Sequence, residues 1–255
     1  MSNNANKIAL VTGGSRGLGK DSALQLAKRG FDVIITYQTK KQDAENVVNE
    51  IATLGGKAVA LQLDIATTSG FENFKQEVQT ILDQHFGGKQ LDALVNNAGV
   101  GVNASFEETT EEALDAMTNI HFKGPFFLTQ KLIPLLKEGS SIVNTSSGLA
   151  RFSFAGYSAY GAMKAAVDSL TRYQALELGN KKIRVNSVAP GAIETDFGGG
   201  FVRDNADFNQ HLSSETALGR VGLPDDIGTV VAFLCSDDSK WINAQRIEVS
   251  GGFKI

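Results

Sequence analysis

Lys7-Ile8-Ala9-Leu10-Val11-Thr12-Gly13-Gly14-Ser15-Arg16-Gly17-Leu18-Gly19 begins as an apolar, strand-like run and ends in a glycine-rich turn that opens a helical pattern near 17–29. Glycines there permit a tight turn and let a pyrophosphate approach the backbone N–H groups at the positive end of the helix. The spacing is G-x-x-x-G-x-G in place of the usual G-x-G-x-x-G of dinucleotide sites. Gly14 to Lys20 also matches a nucleoside-triphosphate loop through its lysine, but Asp21 stands where that motif needs a hydroxyl for magnesium. A glycine turn without any ligand is the third reading.

The same alternation continues outward. Short β-branched runs at 7–12, 32–37, 57–63, 91–95, 140–145, 182–188 and 245–249 alternate with apolar residues at helical spacing near 17–29, 41–54, 67–84, 110–136, 158–179 and 224–236. The pattern predicts an α/β chain: a single Rossmann domain over 1–255, with a seven-stranded parallel sheet covered by helices on both faces. Right-handed crossovers send ligands to the carboxyl ends of the strands, where strand order reverses, so functional residues are expected just after each strand. The segment 196–223 shows no strand pattern and holds Gly198-Gly199-Gly200; it reads as a mobile substrate lid carrying a short helix.

At 255 residues and 42% apolar content, the chain can build one sizeable core. Its 24 basic and 28 acidic residues leave a formal charge of −4, which offers no basic field for nucleic acid. The lone Cys235 lies in an apolar helical run and cannot pair internally, which fits a reduced, cytoplasmic setting. No apolar run approaches the roughly 18 residues of a membrane span, and the polar start lacks the basic-then-apolar order of a leader, so neither membrane nor export is expected. His85, His121 and His211 share no metal-ligand spacing; no metal site is read, and His121 is taken as a helix-surface or interface residue.

About 20 residues beyond such glycines, an acidic side chain would accept from a ribose 2′-hydroxyl and repel a 2′-phosphate. Here Tyr37 occupies the place, and Asp32 sits at the wrong end of its strand to substitute. Arg16, Lys40 and Lys41 could each pair with a phosphate, so NADP is favoured and NAD remains possible.

Ser146-Ser147-Gly148 follows the fifth strand, and thirteen residues after Ser147 comes Tyr160-Gly161-Ala162-Met163-Lys164. Residues four apart on a helix face the same way, so the phenol and the ammonium lie side by side. A free tyrosine, with a pKa of about 10, exchanges protons too slowly near neutrality, and a cation close by is expected to lower that value. Ser147 would donate to the same substrate oxygen, and the set suits hydride addition to a ketone or its removal from an alcohol.

Together these motifs resemble the short-chain dehydrogenase/reductase family. The resemblance runs from about residue 7 to Gly252. It is carried by Thr12 to Gly19, Asn96-Asn97-Ala98-Gly99, Asn119 with Ser147, Tyr160 and Lys164, Pro190-Gly191-Ala192-Ile193-Glu194-Thr195, and Gly251-Gly252. It implies Tyr160 as proton donor or acceptor, Ser147 as the residue that positions substrate, and Lys164 as a contact to the nicotinamide ribose. By the same resemblance, Asn119 holds a helix kink and a relay water. The cofactor contacts it implies are Gly13, Ser15, Arg16, Gly17, Leu18 and Gly19 in the turn, Tyr37 after the second strand, and Asp64 and Ile65 at the adenine. Asn97, Ala98 and Gly99 follow along the ribose, and Pro190, Gly191, Ile193 and Thr195 at the carboxamide. Ile242-Asn243-Ala244 and Ser250 depart from the family's usual C-terminal pattern. Family members are commonly homotetramers that pair the helices near 110–136 and 158–179.

The expected partner is a small or medium carbonyl or alcohol. Within the family, β-ketoacyl-carrier-protein reductases and sugar or polyol dehydrogenases both stay open. Phe152, Phe154, Phe197 and Phe201 flank the site, Tyr157 reads as a pocket or packing residue, and Arg151, Arg203 and Arg220 are the only candidates for a carrier-protein entrance. The alternative from another class is a dinucleotide-binding redox regulator without turnover, which would have no need of the serine, tyrosine and lysine in this register.

Overall fold

The computed structural model describes residues 6–255. Seven strands form one sheet: β1 (Lys7–Val11), β2 (Phe31–Tyr37), β3 (Ala58–Gln62), β4 (Leu91–Asn96), β5 (Leu136–Thr145), β6 (Arg184–Pro190) and β7 (Arg246–Val249). All pairings are parallel, in the order β3-β2-β1-β4-β5-β6-β7. The helices are α1 (Gly17–Lys28), α2 (Lys41–Thr53), α3 (Phe71–Phe86), α4 (Glu111–Thr118), α5 (Gly124–Leu132), α6 (Ser158–Glu177), α7 (Phe201–Asp204), α8 (Ala206–Ser214) and α9 (Pro224–Cys235).

Alternate strand residues face opposite layers, as a pleated strand requires. Ile8 and Leu10 pack with Phe74, Val78 and Leu82 of α3 and with Leu128 and Leu132 of α5. Ala9 and Val11 turn the other way, onto Leu26 of α1, Ile51 of α2 and Val231 and Leu234 of α9. The chain leaves β1 toward β2 and β3, then crosses back to β4 on the other flank. That reversal opens a crevice over the carboxyl ends of β1 and β4.

Two expectations need correction. The single helix expected over 110–136 is broken into α4, a π-helical turn at Asn119–Lys123, α5 and a 3₁₀ turn at Ile133–Leu135. Gly124 lies against the Ile65 carbonyl where a Cβ would not fit, and Pro125, lacking an N–H, occupies the first turn of α5. The strand expected at 140–145 begins earlier, because Leu136 pairs with Leu91 before a register shift that resumes with Ser141 beside Ala93. The exposed interruption of Lys137, Glu138 and Gly139, the last at φ +82°, disguises that first pair as a loop.

Segment 196–223 holds a 3₁₀ turn at Phe197–Gly200 followed by α7 and α8. Gly198, Gly199 and Gly200 all take positive φ (+61°, +75° and +80°), a conformation that explains three consecutive glycines. Bridges from Ile193 to Gly222 and from Thr216 to Phe253 fasten the ends of the segment.

A buried amide ladder runs under the sheet's centre. Asn96 Nδ2 donates to Asn144 Oδ1 and Thr129 Oγ1, and Asn144 Nδ2 donates to Thr171 Oγ1 and Gln174 Oε1, all at 2.9 Å. Asn144→Ala cuts the ladder between β4 and α6 and strands its partners. It should destabilise the protein by about 2–4 kcal/mol, read as a lower urea midpoint at unchanged slope.

Candidate active site

A cleft of about 560 Å³ lies over the carboxyl ends of β1, β4, β5 and β6. Thr12, at the end of β1, ties its two halves together. Its Oγ1 accepts from the backbone N–H groups of Asn97 and Ala98 at 2.9 and 3.0 Å, and Asn97 Nδ2 donates to the Thr12 carbonyl at 2.9 Å. Gly13 and Gly17 take positive φ (+66° and +54°), and a Cβ on Gly19 would run into the Gly13 carbonyl. Gly17, Leu18 and Gly19 therefore form the first turn of α1 on the cleft wall, with amide N–H groups that have no acceptor within the helix. A donor set built on backbone that any side chain would obstruct fits a dinucleotide pyrophosphate. Lys20 is paired with Glu50 at 2.6 Å, and Asp21 packs against Gly228 of α9, so the triphosphate-loop reading has neither its lysine nor a hydroxyl in the cleft.

Beyond the turn, Tyr37, Thr39 and Lys40 line the cleft, Arg16 lines it with its guanidinium 3.8 Å from Asp196 of the 196–223 segment, and Lys41 is paired with Glu45 on its own helix. Asp32 lies far away, accepting from Asn6 Nδ2 and the Lys57 N–H at 3.0 and 2.9 Å. Asp64 lines the cleft and also holds its own turn, accepting from Ala66 N–H at 3.0 Å and Thr67 Oγ1 at 2.8 Å. Ser15, Ile65, Asn97, Ala98, Gly99, Pro190, Gly191, Ile193 and Thr195 all line the cleft as well. Asn96 is instead turned under the sheet into the amide ladder.

Ser147, Tyr160 and Lys164 converge at the other end. Ser147 is extended and its carbonyl accepts from Arg246 at 3.0 Å; that guanidinium also meets Asp168 on α6 at 3.0 Å. Lys164 is buried, donates to the Thr145 carbonyl at 2.7 Å and lies 5.5 Å from the centre of the Tyr160 ring. The expected lowering of the phenol's pKa by this cation is not what the structure shows. Burial pushes Tyr160 well above its ordinary value, the Ser147 hydroxyl offsets only part of that, and the Lys164 ammonium is itself lowered to about 8 by burial, with Asp168 opposing. For each group desolvation outweighs the neighbour that opposes it, Ser147 for the phenol and Asp168 for the ammonium.

Asn119 is not brought into the cleft. The π-helical turn presents Ile120 and His121 there instead. His121 is also no surface residue: it is 2% exposed, its Nε2 lies 2.7 Å from the Val100 carbonyl, and its ring meets Tyr160 edge-on at 5.1 Å. The helical pattern had hidden it, because the extra residue of a π turn rotates the following side chains inward.

The family described as enoyl-(acyl carrier protein) reductase matches residues 13–254. A hydroxynaphthalene reductase-like protein of Metarhizium anisopliae is 40% identical over 97% of this chain and 95% of its own. The chain belongs to the short-chain dehydrogenase/reductase family. Among solved structures, a promiscuous reductase that performs keto-reduction in lugdunomycin biosynthesis superposes with a TM-score of 0.93 at 34% identity, covering 99% of both chains. The landomycin C-6 ketoreductase with bound NADP and rabelomycin gives 0.89 at 34% identity, covering 99% of this chain and 98% of its own. This short-chain dehydrogenase/reductase is an NAD(P)-dependent oxidoreductase.

Its remaining cleft wall is aromatic. Phe152, Phe154, Tyr157 and Phe197 line it as expected from their positions, but Phe201 stacks on Phe208 at 4.8 Å and is outside the lining. Phe208 and Phe253 join the wall without having been anticipated. The one available signal was Gly251-Gly252, whose positive φ values (+62° and +79°) fold the terminal residues back beneath α8. Arg151, Arg203 and Arg220 are each held by carboxylates, of Glu248, of Asp196 and Asp204, and of Asp226 respectively, so they form no free basic entrance. Gly19→Ala tests the cradle: the methyl must displace the Gly13 backbone, so NADPH affinity should fall by tenfold or more, about 1.4 kcal/mol, in a fluorescence titration.

Proposed function

We propose that the protein reduces a ketone on a flat, aromatic or polycyclic substrate with NADPH. The observation that carries this reading is a phenol kept protonated by burial, beside a serine hydroxyl, at the head of an aromatic-walled cleft. Absence of a carboxylate after β2, together with Lys40 after that strand and Arg16 in the glycine turn, supports NADPH over NADH, as does the NADP bound to the landomycin ketoreductase. The hydroxynaphthalene reductase-like and landomycin ketoreductase relatives support the substrate class, and the neutralised arginines argue against a carrier protein.

When bound, the nicotinamide supplies hydride. Tyr160 gives its phenolic proton to the substrate oxygen as the carbonyl becomes an alcohol. Ser147 donates a hydrogen bond to that oxygen and fixes its place, while Arg246 holds the Ser147 backbone. Lys164 is anchored by the Thr145 carbonyl where it can meet both the ribose and the base of Tyr160. Two positions of one oxygen donor pair suit a C=O better than the C=C bond of an enoyl substrate. Segment 196–223 closes over the substrate through the flexible Gly198-Gly199-Gly200 turn. A cytoplasmic homotetramer is the working form, supported by exposed Phe126 and Phe127 on α5 and Tyr173 and Leu176 on α6.

The test is a panel of bicyclic aromatic ketones, sugars and β-ketoacyl thioesters with NADPH and NADH, followed by loss of reduced-nicotinamide absorbance. Aromatic ketones with NADPH should lead, and Tyr160→Phe should lower kcat by about 10²–10⁴ while NADPH still binds. Turnover by Tyr160→Phe at the parent rate, or no turnover with any ketone, overturns the reading. The Lys164 ammonium is lost as pH rises through about 8, so kcat for reduction should be full below that value and decline above it.

A further inference from the structure

We infer that His121 is a positioning residue for the proton-handling pair, its imidazole holding a buried water against Lys164. The inference rests on the ketone-reduction reading and gives a role to a side chain which that reading leaves idle.

A carbonyl can only accept, so the 2.7 Å contact with Val100 fixes the Nε2–H as donor and leaves Nδ1 as a bare acceptor. Nδ1 is buried without a hydrogen-bond partner in the protein, and so is Asn96 Oδ1. Both residues line a second, small cavity of about 10 Å³, together with Lys164, Thr145 and Thr12. That is the size of one water. Lys164 spends one of its three N–H donors on the Thr145 carbonyl and has two left. A single water that donates to Nδ1 and to Asn96 Oδ1 and accepts from Nζ satisfies both orphaned acceptors and one of the two remaining Lys164 donors, leaving the other for the ribose. Gly99 supports the ring's placement, since a Cβ there would come within 2.7 Å of His121 Cε1 and 3.2 Å of Nδ1.

The titratable groups facing His121 are Tyr160 and Lys164 of α6, with Asp168 one turn behind the lysine; β4, β5 and α5 present only Asn96, Asn144, Thr145 and Pro125. Burial and the Lys164 charge hold His121 neutral, lowering its pKa to about 3, so it serves as a fixed acceptor and does not switch with pH. The water in turn gives the Lys164 ammonium a partner, which keeps its proton bound at a pH where burial alone would release it sooner.

His121→Phe keeps a ring against Tyr160 but removes the acceptor; His121→Asn keeps an acceptor without the ring. In the Phe variant the alkaline limb of kcat should move to lower pH and kcat should fall by tenfold or more, with NADPH affinity within about twofold of the parent. The Asn variant should restore the limb. A Phe variant with the parent's limb and rate overturns the proposal, because mere ring packing would be preserved. A crystal structure of the wild-type protein gives a readout independent of substrate: density for one water touching Nδ1, Asn96 Oδ1 and Nζ supports the inference, and none there overturns it even if the ketone assay succeeds. Failure of the wild-type assay alone would strike the ketone reading instead.

Discussion

Thr12 Oγ1 stands between two loops that the fold would otherwise leave apart. Reversal of strand order separates the turn after β1 from the turn after β4, because each continues into helices on different flanks. The hydroxyl accepts from the Asn97 and Ala98 N–H groups, and Asn97 returns a bond to the Thr12 carbonyl. A crevice in a parallel sheet is a gap in packing, and these bonds set its width. Everything that a dinucleotide would touch, from the α1 N-terminus to the Ala98 and Gly99 backbone, takes its spacing from them.

The reactive end depends on a second constraint, the burial of unlike groups on one helix. Tyr160, Lys164 and Asp168 succeed one another by single turns along α6, and all are buried. Burial lowers the lysine's pKa and Asp168 opposes this, while Asp168 is in turn held by Arg246 and Ser187. Arg246 also holds the Ser147 carbonyl. One guanidinium on β7 thereby links Asp168, beside the lysine, to Ser147, the residue proposed to orient the substrate. Such a network is costly to bury unless fully paired, and its pairing explains why the strand farthest from the cofactor turn still shapes the chemistry.

What could be read from the sequence was whatever repeats with a period or a fixed offset. Strands alternate, the glycine turn has its spacing, and Ser147 and Tyr160–Lys164 keep a local register, so the sheet, the cleft and the meeting of these three residues in it were legible. Asn119 and His121 were not, because a π turn breaks the helical period on which facing is judged. The phenol's raised pKa was not legible either. Sequence shows the neighbouring cation but not how much water is removed from both groups, and here desolvation wins. Phe208 and Phe253 escaped for a third reason, since their place depends on contacts between segments distant in the chain.

Those distant segments build the rim of the cleft. Lys254 lies 5.3 to 5.7 Å from the ring centres of Phe152, Phe154 and Phe253 and reaches Glu215 at the end of α8 at 3.3 Å. Arg151 is forked onto Glu248 and donates to the Phe253 and Lys254 carbonyls. The charges at this rim thus serve to hold aromatic rings in place. A substrate recognised by charge would have to break these pairs first, whereas the flat ring proposed above would meet walls that are already ordered. The cleft therefore presents an ordered aromatic surface at one end and backbone donors at the other, with the buried Tyr160 between them.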